Sequence, residues 1–121
     1  MSLTLTHTTG TFNSGTEDGD AIIVDVTDDD AIAVQLVNNS SANLQCRFEG
    51  SLDGTNWDPI YLLNADDYLD AQYSVLTALS GLYFLQPDGC NALKWFRVKA
   101  LVSDPVTGSV NVTVQGGRLG R

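Results

Sequence analysis

The sequence predicts an all-β antiparallel sandwich of about eight strands, of which the jelly roll is one form. Three observations carry that reading. Apolar residues recur at every second position through Ile22-Val24-Val26, Ile32-Val34-Leu36, Leu44-Cys46-Phe48 and Val110-Val112-Val114, the period of a strand with one buried face. Polar, Gly- or Asp-bearing turns separate these runs, and no long stretch follows the helical period. The segment Phe48-Glu49-Gly50-Ser51-Leu52-Asp53-Gly54-Thr55-Asn56-Trp57-Asp58-Pro59-Ile60 reads as strand, turn and strand. In it Asp53-Gly54 and Asn56 supply turn chemistry, and Trp57 anchors the returning strand.

Taken in order, residues 1–20 are rich in Thr, Ser, Gly and Asn, with a weak alternation at Leu3, Leu5 and His7. They form an edge strand followed by a loop, or an arm that orders against a neighbouring subunit. Residues 21–121 form a single sandwich domain. From Ala21, three strands follow in succession across the turns Thr27-Asp28-Asp29-Asp30 and Asn38-Asn39-Ser40-Ser41, which implies that they lie side by side in one antiparallel sheet. The middle is ambiguous: Asp66 to Tyr73 fits a short helical turn, whereas Tyr73 to Thr77 and Gly81 to Leu85 read as strands, so most of it is taken as strand and loop. Near the end, Leu93 to Val102 and Ser109 to Gln115, joined by the turn Asp104-Pro105-Val106-Thr107-Gly108, are expected to form a hairpin.

The chain has 121 residues, 43% of them hydrophobic, enough for a core without a structural metal or disulfide. No apolar run approaches the roughly 20 residues needed to cross a bilayer. The start Met1-Ser2-Leu3-Thr4 lacks the basic and apolar regions of a secretory leader, so the chain is expected to act without export. Fifteen Asp and Glu against six Lys and Arg give a formal charge of −9, which repels phosphate backbones and anionic lipid and argues against nucleic-acid and membrane partners.

Catalytic candidates are sparse. The lone histidine, His7, has no nucleophile partner suggested by the sequence, and the chain has only two Glu, Glu17 and Glu49, with most Asp in turn contexts. Asp28-Asp29-Asp30 and Asp66-Asp67 offer hard oxygen ligands but lack the spacing of a calcium loop, so solvated turns are the preferred reading and no cofactor or metal is expected. Cys46 has the parity of Leu44 and Phe48 and is read as a small buried hydrophobe; Cys90 lies in a loop, and both are expected to be free thiols.

Aromatic parity suggests where recognition sits. Phe48 shares a face with Leu44 and Leu52, and Phe96 with Val98, Ala100 and Val102, the expected core faces. Trp95 alternates with Arg97 and Lys99 on the opposite face, a mixture of apolar and cationic groups suited to an interface. The candidate interface residues are therefore Trp95, Arg97 and Lys99, with Leu3, Leu5 and Phe12 in the N-terminal arm.

The elements Phe48-x-Gly50-Ser51-x-Asp53-Gly54-x-x-Trp57, Gly81-Leu82-Tyr83-Phe84, Phe96-Arg97-Val98 and Thr107-Gly108-Ser109-Val110-Asn111-Val112, spread over residues 48 to 114, resemble tailed-bacteriophage virion proteins. These are small β-sandwiches that decorate capsids or form fibre and tail domains. The Ser-x-Asp-Gly-x-x-Trp element is also similar to one in discoidin-type sugar- and lipid-binding sandwiches, where it belongs largely to the scaffold. Resemblance to capsid decoration, or cement, proteins implies a non-enzymatic role. Homotrimers would sit over local three-fold positions on the capsid surface, bind the major capsid protein and hold capsomers together, after assembly in the host bacterial cytoplasm. A carbohydrate-binding module of a tail or fibre, contacting host glycans through exposed aromatics, is the alternative.

Overall fold

The computed structural model describes residues 3–13, 17, 19–27, 29, 31–39, 44–64, 67–72, 74–76, 81–85, 93–101 and 108–119; for 3–8, 13, 67–72, 74–76, 118 and 119 it describes the backbone alone. These residues form eleven strands: β1 (Leu3–Asn13), β2 (Ala21–Asp25), β3 (Ala31–Asn38), β4 (Gln45–Ser51), β5 (Asp58–Pro59), β6 (Leu62–Asn64), β7 (Asp67–Gln72), β8 (Ser74–Leu76), β9 (Gly81–Phe84), β10 (Trp95–Leu101) and β11 (Ser109–Leu119). The expected all-β antiparallel sandwich is the observed architecture. Short pieces such as β5, β6 and β8 raise the number of strands above the eight read from periodicity.

Two antiparallel sheets face each other. The first has the order β1-β11-β3-β9-β6-β7; the second has β2-β10-β4-β5, with β8 pairing β4 beside β5. From the first sheet Ile32, Val34 and Leu36 of β3 and Val110, Val112 and Val114 of β11 point inward; from the second, Cys46 and Phe48 of β4 and Phe96, Val98 and Ala100 of β10 meet them, all fully or almost fully buried. Phe48 joins the layers, its ring centroid 5.3 Å from Tyr83 of β9 and 6.3 Å from Phe96. A buried aromatic of this size contributes a few kcal/mol by removal of apolar surface from water.

Two expected neighbourhoods are corrected. β2, β3 and β4 do not lie side by side: β2 and β4 flank β10 in one sheet, while β3 sits between β11 and β9 in the other. Nor do β10 and β11 form a hairpin, since β10 pairs β2 and β4 while β11 pairs β1 and β3. Period-two alternation demands that one face be buried, and crossing to the opposite layer after each strand satisfies it as well as folding back does.

The strand–turn–strand reading of residues 48–60 holds. Glu49 pairs Pro59, Gly50 pairs Asp58, and the Ile60 amide donates to the Phe48 carbonyl at 2.9 Å. Leu52, expected on the Phe48 face, instead lies in the loop and is 67% exposed, because the strand ends at Ser51. Residues 67–72, where a helical turn competed with a strand, are the strand β7. β1 pairs β11 along its whole length, from Leu3 opposite Leu119 to Asn13 opposite Ser109, and is an edge of its sheet.

Candidate functional site

The outer face of the second sheet gathers the polar and aromatic groups that stand out in the described structure. Because inward residues alternate with outward ones, β10 turns Trp95, Arg97 and Lys99 away from the core that holds Phe96, Val98 and Ala100. The ladder with β4 places Ser51 opposite Trp95, Glu49 opposite Arg97 and Arg47 opposite Lys99. On the other side of β10, β2 sets Asp25 opposite Trp95 and Ile23 opposite Arg97.

Glu49 is the centre of this face. Its residue is only 4% exposed, and Oε1 accepts from Arg97 Nε at 2.7 Å while Arg97 Nη2 lies 2.7 Å from the same oxygen. Arg47 Nη1 stands 4.0 Å from Oε2. A carboxylate removed from water needs such compensation, and two guanidinium groups supply it. Arg97 is also covered from above: its guanidinium carbon lies 4.2 Å from the centroid of the Trp57 ring, in cation–π contact. Trp57, expected to anchor the returning strand by apolar packing, instead packs on a cation outside the core.

The β4–β5 loop that delivers Trp57 is held by its own side chains. Asp53 Oδ1 accepts from the Thr55 and Asn56 amides at 2.8 Å each, and Asp53 Oδ2 accepts from Asn56 Nδ2 at 2.7 Å. Ser51 Oγ accepts from the Gly54 amide at 2.8 Å and donates to Asp53 Oδ1 at 3.0 Å. These donors, the Asn56 and Thr55 amides first, hold the Asp53 carboxyl far below the usual carboxylate range. Gly54 has φ +77°, and a Cβ there would stand 3.3 Å from Trp95 Nε1. The positive φ is one that glycine adopts without strain, and a side chain added there would press on the Trp95 indole. Beside the loop lies a shallow depression of about 390 Å³ lined by Leu52, Pro59, Ile60 and Leu93 and rimmed by Ser51, Asp53, Asn56 and Asp58.

The structure brings together three of the predicted interface residues and assigns a fourth to the core. Trp95, Arg97 and Lys99 are brought together, half-buried, on the outer face of β10. Phe12 is corrected: it is 3% exposed and belongs to the core, because β1 folds against its own chain and turns that side chain inward. Leu3 and Leu5 lie in β1, on the backbone paired with Leu119 and Gly117, and their side chains, like that of His7, lie outside the described residues.

Of the other candidates, Cys46 is buried, and loss of hydration pushes its thiol up to about 12. Cys90 lies outside the described residues. Asp29 is buried over Gly116, while Asp28, Asp30 and Asp66 and the side chain of Asp67 lie outside the described residues. Among the described residues no three His, Cys, Asp or Glu converge as metal ligands. Glu49 and Trp57 were missed as partners of Arg97. The parity of Glu49, opposite to its apolar strand neighbours, marked it as outward, but only the register between β4 and β10 reveals its partner.

No family model and no curated protein matches the chain. Solved structures do. SPBc2 prophage-derived protein YomS superimposes with a TM-score of 0.69 at 16% identity, over 94% of this chain and 95% of that one. PBSX exported protein XepA does so with a TM-score of 0.63 at 14% identity, over 93% of this chain but 38% of that one. The chain thus shares the fold of a prophage-derived protein and of an exported protein, spanning nearly all of the first and under half of the second.

Proposed function

We propose that the chain is a structural protein of a phage particle that works by binding rather than by bond chemistry, and that its finer role is a capsid decoration subunit bound to the major capsid protein. The observation that carries the reading is the near end-to-end likeness to a prophage-derived protein of similar extent, in line with the sequence resemblance over residues 48 to 114. The outer face of β10 supports it. Trp95, Trp57 and Arg97 are half-buried and fixed by Gly54 and Glu49, so little side-chain freedom is lost when a partner covers them. The most prominent carboxylate of that face, Glu49, is held by arginine, as suits a recognition surface more than an acid–base centre. On a capsid, many symmetric copies give avidity even where each contact is modest. The net charge of −9 suits docking on basic patches of a shell.

The test is to assemble shells from the major capsid protein encoded in the same genome, add the chain, and measure co-sedimentation and the temperature at which the shells disrupt. Stoichiometric binding and a raised disruption temperature are expected. Recovery of the chain with tails and not with heads, or specific binding of the isolated chain to host polysaccharide on a glycan array, overturns the decoration role.

A further inference from the structure

The described edges of the two sheets are not alike. β7 carries Asp67 and Asp70, β2 has five residues ending at Asp25, β5 is Asp58–Pro59, and β8 has three residues. Charge, proline and shortness are the devices by which natural sheets keep other strands from pairing with their edges. β1 has none of them. It runs for eleven residues, Leu-Thr-Leu-Thr-His-Thr-Thr-Gly-Thr-Phe-Asn, without Lys, Arg, Asp, Glu or Pro. Its register with β11 is unbroken from Leu3 to Asn13, so no bulge turns the edge away. Among the described residues no strand lies on its far side. The composition is rich in Thr, a good strand former.

We propose that the outer edge of β1 is a self-association surface, on which β1 of a second copy pairs antiparallel and joins the two six-stranded sheets into one. Charge favours a second copy at this place. Two chains of net charge −9 repel, and a charge-free edge roughly 36 Å long lets them meet without opposing carboxylates at the contact. Symmetry favours β1 as the partner of β1: pairing about a two-fold satisfies both β1 edges at once and closes, whereas pairing with the acidic β7 always leaves an open β1 at one end of a growing row and an open β7 at the other. Close packing of Gly10, whose added Cβ would stand 2.6 Å from Ile22 Cδ1, holds β1 against β2 so that the edge is presented as a fixed strand. The inference does not depend on a capsid partner. It gives a dimer where the family resemblance implies a trimer.

Sedimentation equilibrium of the full chain up to about 100 μM, where contacts of modest affinity populate, together with hydrogen exchange at low and high concentration, tests it. The expected results are a dimer mass and slowed exchange at high concentration for alternate amides of Leu3–Asn13, since every second residue of an edge strand points its N–H outward. Thr9→Lys, at an exposed position of β1, is expected to weaken the dimer by roughly tenfold or more. Gln115→Lys, also exposed but one strand inward, makes the same change of net charge and is expected to leave the dimer intact. A monomer throughout, a trimer mass, a dimer whose β1 amides exchange no more slowly, or equal effects of the two lysines overturns the proposal. The exchange measurement on the unaltered chain stands even where a variant folds poorly.

Discussion

Glu49 and Arg97 face each other across β4 and β10, and Oε1 of the carboxylate receives both Nε and Nη2 of the guanidinium at 2.7 Å. The two side chains are 6% and 17% exposed, so each depends on the other for the charge it brings out of water. Glu49→Gln is expected to destabilise the fold by about 2 to 3 kcal/mol, less than full burial implies because Arg97 retains some access to solvent. Urea unfolding of Glu49→Gln, Arg97→Met and the double variant measures it. The double variant should lose clearly less than the sum of the singles, and strict additivity contradicts the coupling.

Trp57 roofs the same guanidinium, with 4.2 Å between ring centroid and carbon. Trp57→Leu, which keeps apolar bulk, is expected to cost about 1 kcal/mol through loss of the cation–π contact. In the Arg97→Met background that cost should largely disappear, as read by thermal unfolding.

Gly54 stands beside Trp95 in a backbone conformation that side chains avoid, so an added methyl would meet the indole. Gly54→Ala is expected to cost about 1 to 2 kcal/mol and to change the Trp95 emission spectrum. Unaltered emission together with unaltered stability refutes this placement of the loop.

Asp53 makes stability depend on acid. Its carboxyl titrates well below its unfolded value because loop amides bind the charged form, so its contribution is complete above the unfolded value, near 4, and is lost as pH falls from there toward the folded value. Asp53→Asn is expected to lose that whole contribution at neutral pH, where the loss does not vary with pH, and to flatten the acid limb below about pH 4, where its stability converges on that of the unaltered chain. Chemical denaturation at several pH values shows whether the slope changes.

Phe48 spans both layers, and Cys46 lies two residues before it in the same strand. Phe48→Ala is expected to cost about 3 to 5 kcal/mol. In the same experiments the Cys46 thiol, buried and pushed up to about 12, should label with a thiol reagent at the rate of unfolding in the native protein and far faster in Phe48→Ala.

Alternation at Ile32-Val34-Leu36, Cys46-Phe48 and Val110-Val112-Val114 revealed the strands and their buried faces because the side-chain period of two is a local property. Ser51-Leu52-Asp53-Gly54 marked its loop for the same reason: the capping bonds span two or three residues. Neighbours were not legible. β10 and β11 read as a hairpin because burial of one face says nothing about which strand supplies the hydrogen bonds, and sheet order is decided by packing between layers. Half of the candidate site, Trp95, Arg97 and Lys99, followed from parity along one strand. Glu49 and Trp57 entered through cross-strand register and loop path, and Phe12 left for the core because β1 pairs within its own chain.

The alternation of successive strands between layers bears on how the molecule forms. With β2 and β4 in one sheet, β3 in the other, and β10 and β11 likewise divided, neither layer can be completed before segments far apart in the chain have met. Loop closure must therefore precede most of the stabilising contacts, which places the chain among slow folders with a late, highly consolidated barrier. The same interlacing ties each layer to the other, so the lifetime of the closed chain on heating is set by the height of that barrier.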